Sequence, residues 1–350
     1  MKKEIFFGLF AIMFIFSEIC LSSPEPIRTL IWWDYLPEKT IQKLKKNGFY
    51  PDVSIYNSNE VASSRLFSKR EEYDVAIISS VVVNAAKKAQ IFEDKILENF
   101  TPSRRYKKEV NIHSECIPLL WGVTIFGSDS TSKLEPKSFK ELIELQVSGY
   151  KIAVLDDPFE VAARLLADGL FFCEKEILPA GNTFHSFQTC KNKKLQIPFK
   201  LEVKDFRSSV GEFLLNKQVA VYGWHGEIAQ AAKDNPKIKM VVPAEYPVIG
   251  ADYVCIPKKR AHPKLSEARL RKFVELLTDQ ESTHWGVQST QYFSPYENDT
   301  QGLRPDVLEL YKKLVATLQR SAPVMLTAPS QEEHQLINEW WRKIRYESAK

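Results

Sequence analysis

Hydrophobic positions along this chain switch between two periods, and the switching sketches a fold. RTLIWW, residues 28–33, reads as a strand. PEKTIQKLKKNG then places Ile41 and Leu44 on one helical face, with Pro37 near the start and Gly48 as the stop. PDVSIYNS predicts a second strand, NEVASSRLFSK a second helix and YDVAIISS a third strand. An order of strand, helix, strand, helix, strand implies a parallel sheet with helices on its faces.

The pattern then restarts. CIPLLWGVTIFGSD is a long apolar run, extended around Pro118. PKSFKELIEL predicts a helix, YKIAVLDD a strand and PFEVAARLLADGL a helix. Residues 174–198 carry lysines, a cysteine and little periodicity, which reads as loop or irregular helix. DFRSSVGEFLLNK predicts a helix, QVAVYGW a strand, HGEIAQAAKDN a helix and KIKMVVP a strand. ADYVCIP is extended, and three helical stretches follow: Leu265–Leu277, Pro305–Leu318 and Gln331–Arg345. The chain reads as two α/β lobes with a helical end.

Composition changes this picture little. The chain has 350 residues, 44% hydrophobic and 26% charged, enough for two ordinary lobes. Lys and Arg number 48 against 44 Asp and Glu, a net +4. So small a surplus, with no basic stripe interleaved with aromatics, argues against a nucleic-acid partner. The N-terminus adds more. MKKEIFFGLFAIMFIFSEICLSS opens on two lysines, runs apolar from Ile5 to Phe16 and ends in small residues. That is the anatomy of a cleaved signal peptide over residues 1–22. The apolar run falls short of the ~20 residues of a membrane span. Acylation at Cys20 is the weaker alternative, because SEI before it lacks small residues.

Cys116, Cys173, Cys190 and Cys255 remain after the leader, and four cysteines allow three pairings. Cys173 with Cys190 is the local choice. Cys116 and Cys255 both precede Ile-Pro, as if on similar strands. No pair has CxxC spacing, so no zinc site is expected, and no cofactor.

Candidate chemistry collects where open α/β sheets bind ligands, beyond the carboxyl ends of the strands. Trp32, Trp33, Asp34 and Tyr35 follow the first strand, and Ser79 and Ser80 the third. Asp156 and Asp157 follow YKIAVL, and Trp224 follows VAVYG. Helix N-termini crowd the same end and favour anions. Asp34, Asp157 and Glu160 reverse that local field. Tryptophan and tyrosine faces attract cations by ~0.5–2 kcal/mol each. A crevice of carboxylates and aromatic planes suits ammonium groups joined by apolar links, as in a polyamine. Each residue also has a structural role open to it. Asp157-Pro158-Phe159-Glu160 is a good helix start. Trp32 and Trp33 cannot both be core, since strand neighbours point to opposite faces. Asp252 follows Gly250 closely, where a turn aspartate is common.

No GxSxG elbow, Walker loop, strand-borne GxGxxG or HExxH is present, and the six histidines lack metal-ligand spacing. Catalysis is therefore not expected. An amino-acid ligand would need a cationic clamp for its carboxylate, and no arginine stands among these positions.

These residues also carry a family resemblance, from about Leu30 to the C-terminus. The chain resembles the periplasmic spermidine/putrescine-binding proteins of ABC importers. IWWDYLP stands in register with the family's Asn-Trp-Thr-Glu-Tyr-Val-Pro type motif, and YDVAIISS with its Tyr-Asp-Leu-Val-Val-Pro-Ser strand. IPLLWGVTIFG, AVLDDPFEV, VAVYGWHGEIAQA and GADYVCIPKKRAHP follow in the family's order. The resemblance implies a type II periplasmic-binding-protein fold, two sheets flanked by helices and joined by crossing segments. Lobe I would take residues 26–120, with about 253–305 returning to it, and lobe II residues 121–252, with helices over 306–350 packing on it. Asp34, Asp157, Glu160 and Asp252 would grip ammonium groups. Trp32, Tyr35, Trp224 and Tyr292 would wall the chain, and Ser79 would offer a hydroxyl. Family aromatics are replaced by Val81 and Gly250, Trp33 replaces a smaller polar residue, and the family's C-terminal glutamine has no counterpart. The resemblance further implies a periplasmic monomer that hands a polyamine to a membrane permease. A ligand-sensing receptor component for a polyamine, or for a guanidino amine such as agmatine, is the alternative.

Overall fold

The computed structural model describes residues 25–33, 35–68, 70–97, 100, 105–111, 113–129, 135–173, 176–177, 195–196, 205–207, 219–325 and 331–348. The expected leader with Cys20, and Asp34 and Cys190, lie outside them.

The first elements are β1 (Ile27–Trp32), α1 (Glu38–Lys46), β2 (Pro51–Tyr56), α2 (Asn59–Phe67), β3 (Val75–Ser79), α3 (Ser80–Lys88) and α4 (Asp94–Leu97). They are followed by β4 (Cys116–Ser128), α5 (Phe139–Val147), β5 (Lys151–Leu155), α6 (Pro158–Ala167), β6 (Phe172–Cys173), β7 (Glu176–Ile177), β8 (Leu195–Gln196) and β9 (Asp205–Arg207). Last come β10 (Val219–Trp224), α7 (His225–Asp234), β11 (Lys239–Val241), β12 (Val248–Cys255), α8 (Glu267–Thr278), α9 (Gln280–Thr290), α10 (Pro305–Leu318), β13 (Val324–Met325) and α11 (Gln331–Ser348). Among the described residues no helix is long and apolar enough to cross a membrane.

The main sheet runs β2-β1-β3-β12-β4-β10-β5-β9. Both β2 and β3 lie parallel to β1, as the first apolar pattern predicts. The middle strand β12 is antiparallel to both of its neighbours, β3 and β4, so the sheet is mixed. β4 is buried at all 13 positions. Its first part, from Cys116 to Val123, pairs with β12; its last part, from Thr124 to Ser128, pairs with β10 and β11. β12 likewise pairs β3 from Asp252 onward and β13 at Val248 and Ile249. These two strands therefore connect a first sheet half (β2, β1, β3) to a second (β10, β5, β9). A continuous apolar run is what a strand covered on both faces requires.

Several expectations need correction. Asp205–Arg207, predicted to open a helix, is instead a strand parallel to β5. The free edge of β5 supplies a pairing partner that local periodicity cannot register; the rest of that stretch lies outside the described residues. Within 174–198, expected to be irregular, β7 and β8 pair with β6 in a separate three-stranded sheet. α9 is an unexpected helix. Its sequence is largely polar, but Asp279 caps it by accepting from the Ser282 N–H, at 2.9 Å. The third strand ends one residue before α3 begins, so Ser79 stands at a strand–helix junction.

Side chains of Phe273, Val274 and Leu270 on α8 pack with Ile31, Val75 and Ile77 under the first half. On the second half, Ile337, Trp340 and Trp341 of α11 join a core with Phe139, Val154 and Leu165. Asp156 fastens that helix: it accepts from Trp341 Nε1 at 3.1 Å and pairs with Arg345 at 3.3 Å.

Cys116 and Cys255 form a disulfide directly across the β4–β12 ladder, with Cα atoms 4.6 Å apart. The local alternative, Cys173 with Cys190, involves a residue outside the described set. The bridge closes a loop of sequence separation 139. In the chain-entropy account, cross-linking so long a loop stabilises by roughly 5 kcal/mol at most, and measured cases give about 2–5 kcal/mol. Replacing both cysteines by serine is expected to lower the midpoint of thermal unfolding by several degrees at unchanged secondary structure. Calorimetry of the two forms side by side measures this.

Candidate functional site

Where the two sheet halves meet, strand ends and the helix that follows β5 deliver two buried carboxylates, the half-buried Asp252 and a set of aromatic rings to one place. Asp252 lies on β12 opposite Ser79 of β3. Its Oδ1 accepts from Trp32 Nε1 at 3.0 Å and its Oδ2 from the Tyr35 hydroxyl at 2.7 Å. Asp157 caps α6: its Oδ1 accepts from the N–H groups of Phe159 and Glu160 at 2.9 and 3.1 Å. Pro158 at the first helical position fits that cap, having no N–H to satisfy. Glu160, one turn in, is 3% exposed. Its Oε1 accepts from Trp224 Nε1 at 3.0 Å, while its Oε2 has no partner among the described residues. Capping and ligand-facing roles are thus divided between neighbours: Asp157 closes the helix end and Glu160 keeps an oxygen open.

The rings lie on glycines. Tyr292 is wedged between Gly122 and Gly226, where a Cβ would stand 2.6 or 2.5 Å from its ring carbons. The Trp224 indole covers Gly250 so closely that a Cβ there would overlap it. Gly122 and Gly250 face each other across the β4–β12 ladder. Two aromatic walls therefore rest directly on the connecting strands. Tyr292 lies 5.8 Å from the Tyr35 ring and 6.3 Å from the Trp224 ring, centroid to centroid. His225 steadies this corner. Its Nδ1 accepts from the Val123 N–H at 3.3 Å, and its Nε2 donates to the Gln291 carbonyl at 3.1 Å. Burial lowers its pKa to about 3, so it is neutral and stacks on Phe293 with centroids 4.1 Å apart.

Electrostatics set the character of the site. Burial raises the pKa of Asp252 to about 6, against the hydrogen bonds of Tyr35 and Trp32. Burial, then the nearby Glu60, raises Asp157 to about 6. Glu160 is raised well above the usual carboxylate range, by burial first and then by Asp157 and Glu227. Tyr292 is raised by burial and by Glu227, Asp252 and Glu160, which places its ring amid the acids. Among the described residues no Lys, Arg or His forms an ion pair with Asp157, Glu160 or Asp252. Like charges gather here without a counterion, the reverse of a structural ion-pair network.

The positions nominated from sequence divide as follows. Trp32, Tyr35, Asp157, Glu160, Trp224, Asp252 and Tyr292 converge on the site. Trp33 is 65% exposed, with no ring contact among the described residues. Ser79 donates its hydroxyl hydrogen to Asn59 Oδ1 at 2.6 Å. Val81 packs half-buried against the second core. Sequence reading passed over Asn59, Glu60, His225 and Glu227. Asn59 follows the end of β2, so the strand-end rule finds it once applied to that strand. His225 had no such signal, because a hinge-supporting histidine has no motif. Two surface cavities, one of about 250 Å³ lined by Phe100, Lys272 and Asp279 and one lined by Arg105 and Lys108, involve none of these residues.

An unpaired buried acid destabilises the folded chain when ionised. Its folded pKa lies above its unfolded value, so the folded state binds more protons and stability rises as pH falls toward the unfolded value. Glu160→Gln is expected to raise the unfolding midpoint by roughly 2 °C or more at pH near 7.5. The gain should shrink as pH falls through the raised pKa of Glu160, below which the acid is itself protonated and glutamine offers no advantage. Thermal melts of both proteins across that range measure it.

The profile of the bacterial extracellular solute-binding protein family matches residues 37–301. The putrescine-binding periplasmic protein SpuD of Pseudomonas aeruginosa is 24% identical over 258 residues, covering 65% of this chain and 67% of that protein. A solved structure described as a putative spermidine/putrescine ABC transporter from Listeria monocytogenes superposes with a TM-score of 0.71 at 15% identity. It covers 91% of this chain and 98% of that one. The spermidine/putrescine ABC transporter substrate-binding protein PotD from Streptococcus pneumoniae does so with a TM-score of 0.66 at 17% identity, covering 93% and 99%. At these identities the structures speak for the fold, the two-lobed α/β arrangement of periplasmic binding proteins. The match over most of its length settles the assignment: the chain belongs to the bacterial extracellular solute-binding protein family.

Proposed function

We propose that this protein is an extracytoplasmic solute-binding protein that captures a polyamine of the putrescine or spermidine type and delivers it to an ABC importer. The observation that carries this reading is the pair of buried carboxylates, Asp157 and Glu160, with the half-buried Asp252 nearby: among the described residues none has a cation of the protein's own, and one oxygen of Glu160 is unpartnered. An ionised carboxylate held out of water without a partner costs several kcal/mol, and a bound ammonium group removes that cost. Flat faces of Trp224, Tyr292 and Tyr35 then cover the methylene links and attract the charge. Trp33, Asp34 and Ser79, which the sequence also offers at strand ends, are further candidates for contact with the ligand. The names of the relatives, which cite putrescine and spermidine, support the same ligand class and favour transport over sensing.

In this reading the chain is exported by its leader, residues 1–22, and works as a monomer in the periplasm, without catalysis or a cofactor. Lobe I spans about 26–120 with 253–305 returning, and lobe II spans 121–252 with the helices of 306–350 against it. A ligand held by Glu160 of the second sheet half and by Asp252 together with Tyr35 of the first would bridge both sheet halves, so that capture and lobe closure are one event and the closed form is what the permease receives.

Titration of intrinsic tryptophan fluorescence with putrescine, cadaverine, spermidine, spermine and agmatine tests the ligand class. A saturable change with at least one amine is expected, and silence with all five refutes the reading. Glu160→Gln should weaken that amine by 10-fold or more while stabilising the free protein, by loss of a charged partner worth ~1.5–3 kcal/mol. Binding a cation favours the ionised acids, so affinity is full above the raised pKa of about 6 and falls below it. Between pH 7.5 and 5 we expect a loss of about 10-fold per titrating carboxylate, with protons released on binding near pH 6, read by calorimetry in buffers of different ionisation heat.

A further inference from the structure

Asn59 occupies the first position of α2, yet the cap belongs to its neighbour: Ser58 Oγ accepts from the Val61 N–H at 3.2 Å. The Asn59 side chain is turned to a different task. Its Oδ1 accepts from the Ser79 hydroxyl at 2.6 Å, and its Nδ2 donates to Asp157 Oδ2 at 3.1 Å. Ser79 ends β3 in the first sheet half, whereas Asp157 follows β5 in the second. One hydrogen-bonded line, Ser79 to Asn59 to Asp157, therefore runs from half to half beside the acidic site.

The chemistry fixes the direction of this line. A carboxylate only accepts, so Asn59 must present its NH2 group to Asp157, and its oxygen is then left for the serine hydroxyl. Asp157 is thereby gripped twice: Oδ1 by two backbone N–H groups of α6, Oδ2 by the amide from across the gap. An amide is neutral. It fills a lone pair of Asp157 without cancelling its charge, and a lysine or arginine at 59 would compete with a cationic ligand. An acid at 59 would repel Asp157, adding to the effect of Glu60 already felt there.

We propose that Asn59, backed by Ser79, is an interlobe positioning residue that latches onto Asp157 when the lobes close and sets how long a bound amine is retained. The proposal rests on the polyamine reading of the site. A bond made only in the closed form deepens that form alone. Encounter with ligand precedes closure and does not use it. Loss of the latch accordingly appears in dissociation and not in association.

Stopped-flow tryptophan fluorescence with putrescine and with spermidine, on the mature chain, tests this with Asn59→Ala, Asn59→Asp and Ser58→Ala. Asn59→Ala should raise the dissociation rate by about 10-fold or more, with the association rate within about 2-fold, as expected for a hydrogen bond to a charged group. Asn59→Asp should raise it further. Ser58→Ala loses the cap of the same helix and should lower the melting temperature while leaving dissociation unchanged. An unchanged dissociation rate in Asn59→Ala overturns the latch. A rise matched by Ser58→Ala overturns it too, because that reports a loosened helix. Should the wild-type chain respond to neither amine, the polyamine reading fails separately. The latch is then decided by small-angle scattering of the ligand-free proteins, where Asn59→Ala must be the more extended and equal dimensions refute it.

Discussion

One oxygen of Glu160 sits out of reach of water and, among the described residues, has nothing to accept from. Most of the surrounding structure is an answer to that condition. Asp157 and Glu227 push the same group further toward neutrality, and only the indole N–H of Trp224 opposes them. Such an arrangement makes the empty protein less stable than it would be with an amide there. The unmet acceptor lies beside the junction of the two sheet halves, where, in the proposed function, a cation entering the gap would meet it. In the proposed function, binding strength would come from an unfavourable ligand-free state as much as from attractive contacts.

The aromatic walls are placed by an absence of side chains. Tyr292 reaches its position because Gly122 and Gly226 have no Cβ, and Trp224 lies down on Gly250 for the same reason. Both rings rest on the strands that any lobe motion must bend. Rings and hinge are consequently one packed unit, and His225 ties it together through Val123 on one side and Gln291 on the other. Interiors pack at crystal-like density, so small movements of β4 against β12 are felt at the rings without an intervening element.

Much of this was legible in the sequence, for identifiable reasons. Strands β1, β3, β4, β5, β10 and β12 are largely apolar runs, and the helices between them keep a clear period. Asp157 and Glu160 could be found because a helix start after a strand has a recognisable spelling. What escaped depended on distant partners. Asp205–Arg207 becomes a strand through the edge of β5; the Cys116–Cys255 pairing, open in the sequence on the shared Ile-Pro context, is selected only by the ladder register. Trp32 and Trp33 are adjacent and equally conspicuous in the sequence, yet only Trp32 reaches Asp252, because pleating sends its neighbour outward. Asn59 looks like an ordinary residue near a helix start until its two neighbours in space are known.

The Cys116–Cys255 bridge ties the base of β4 to the far end of β12. All of β5, β9, β10 and β11 lies between those cysteines in the chain, so the second sheet half is an excursion whose two stems are welded together where it leaves the first. Topologically it is a closed ring hung from its host. The host sheet cannot be finished until β12 returns to sit beside β3, long after β1 to β3 have emerged from synthesis. The weld preserves that late homecoming: should the excursion lose its shape, its two stems stay side by side, and the strand that completes the host is still at hand.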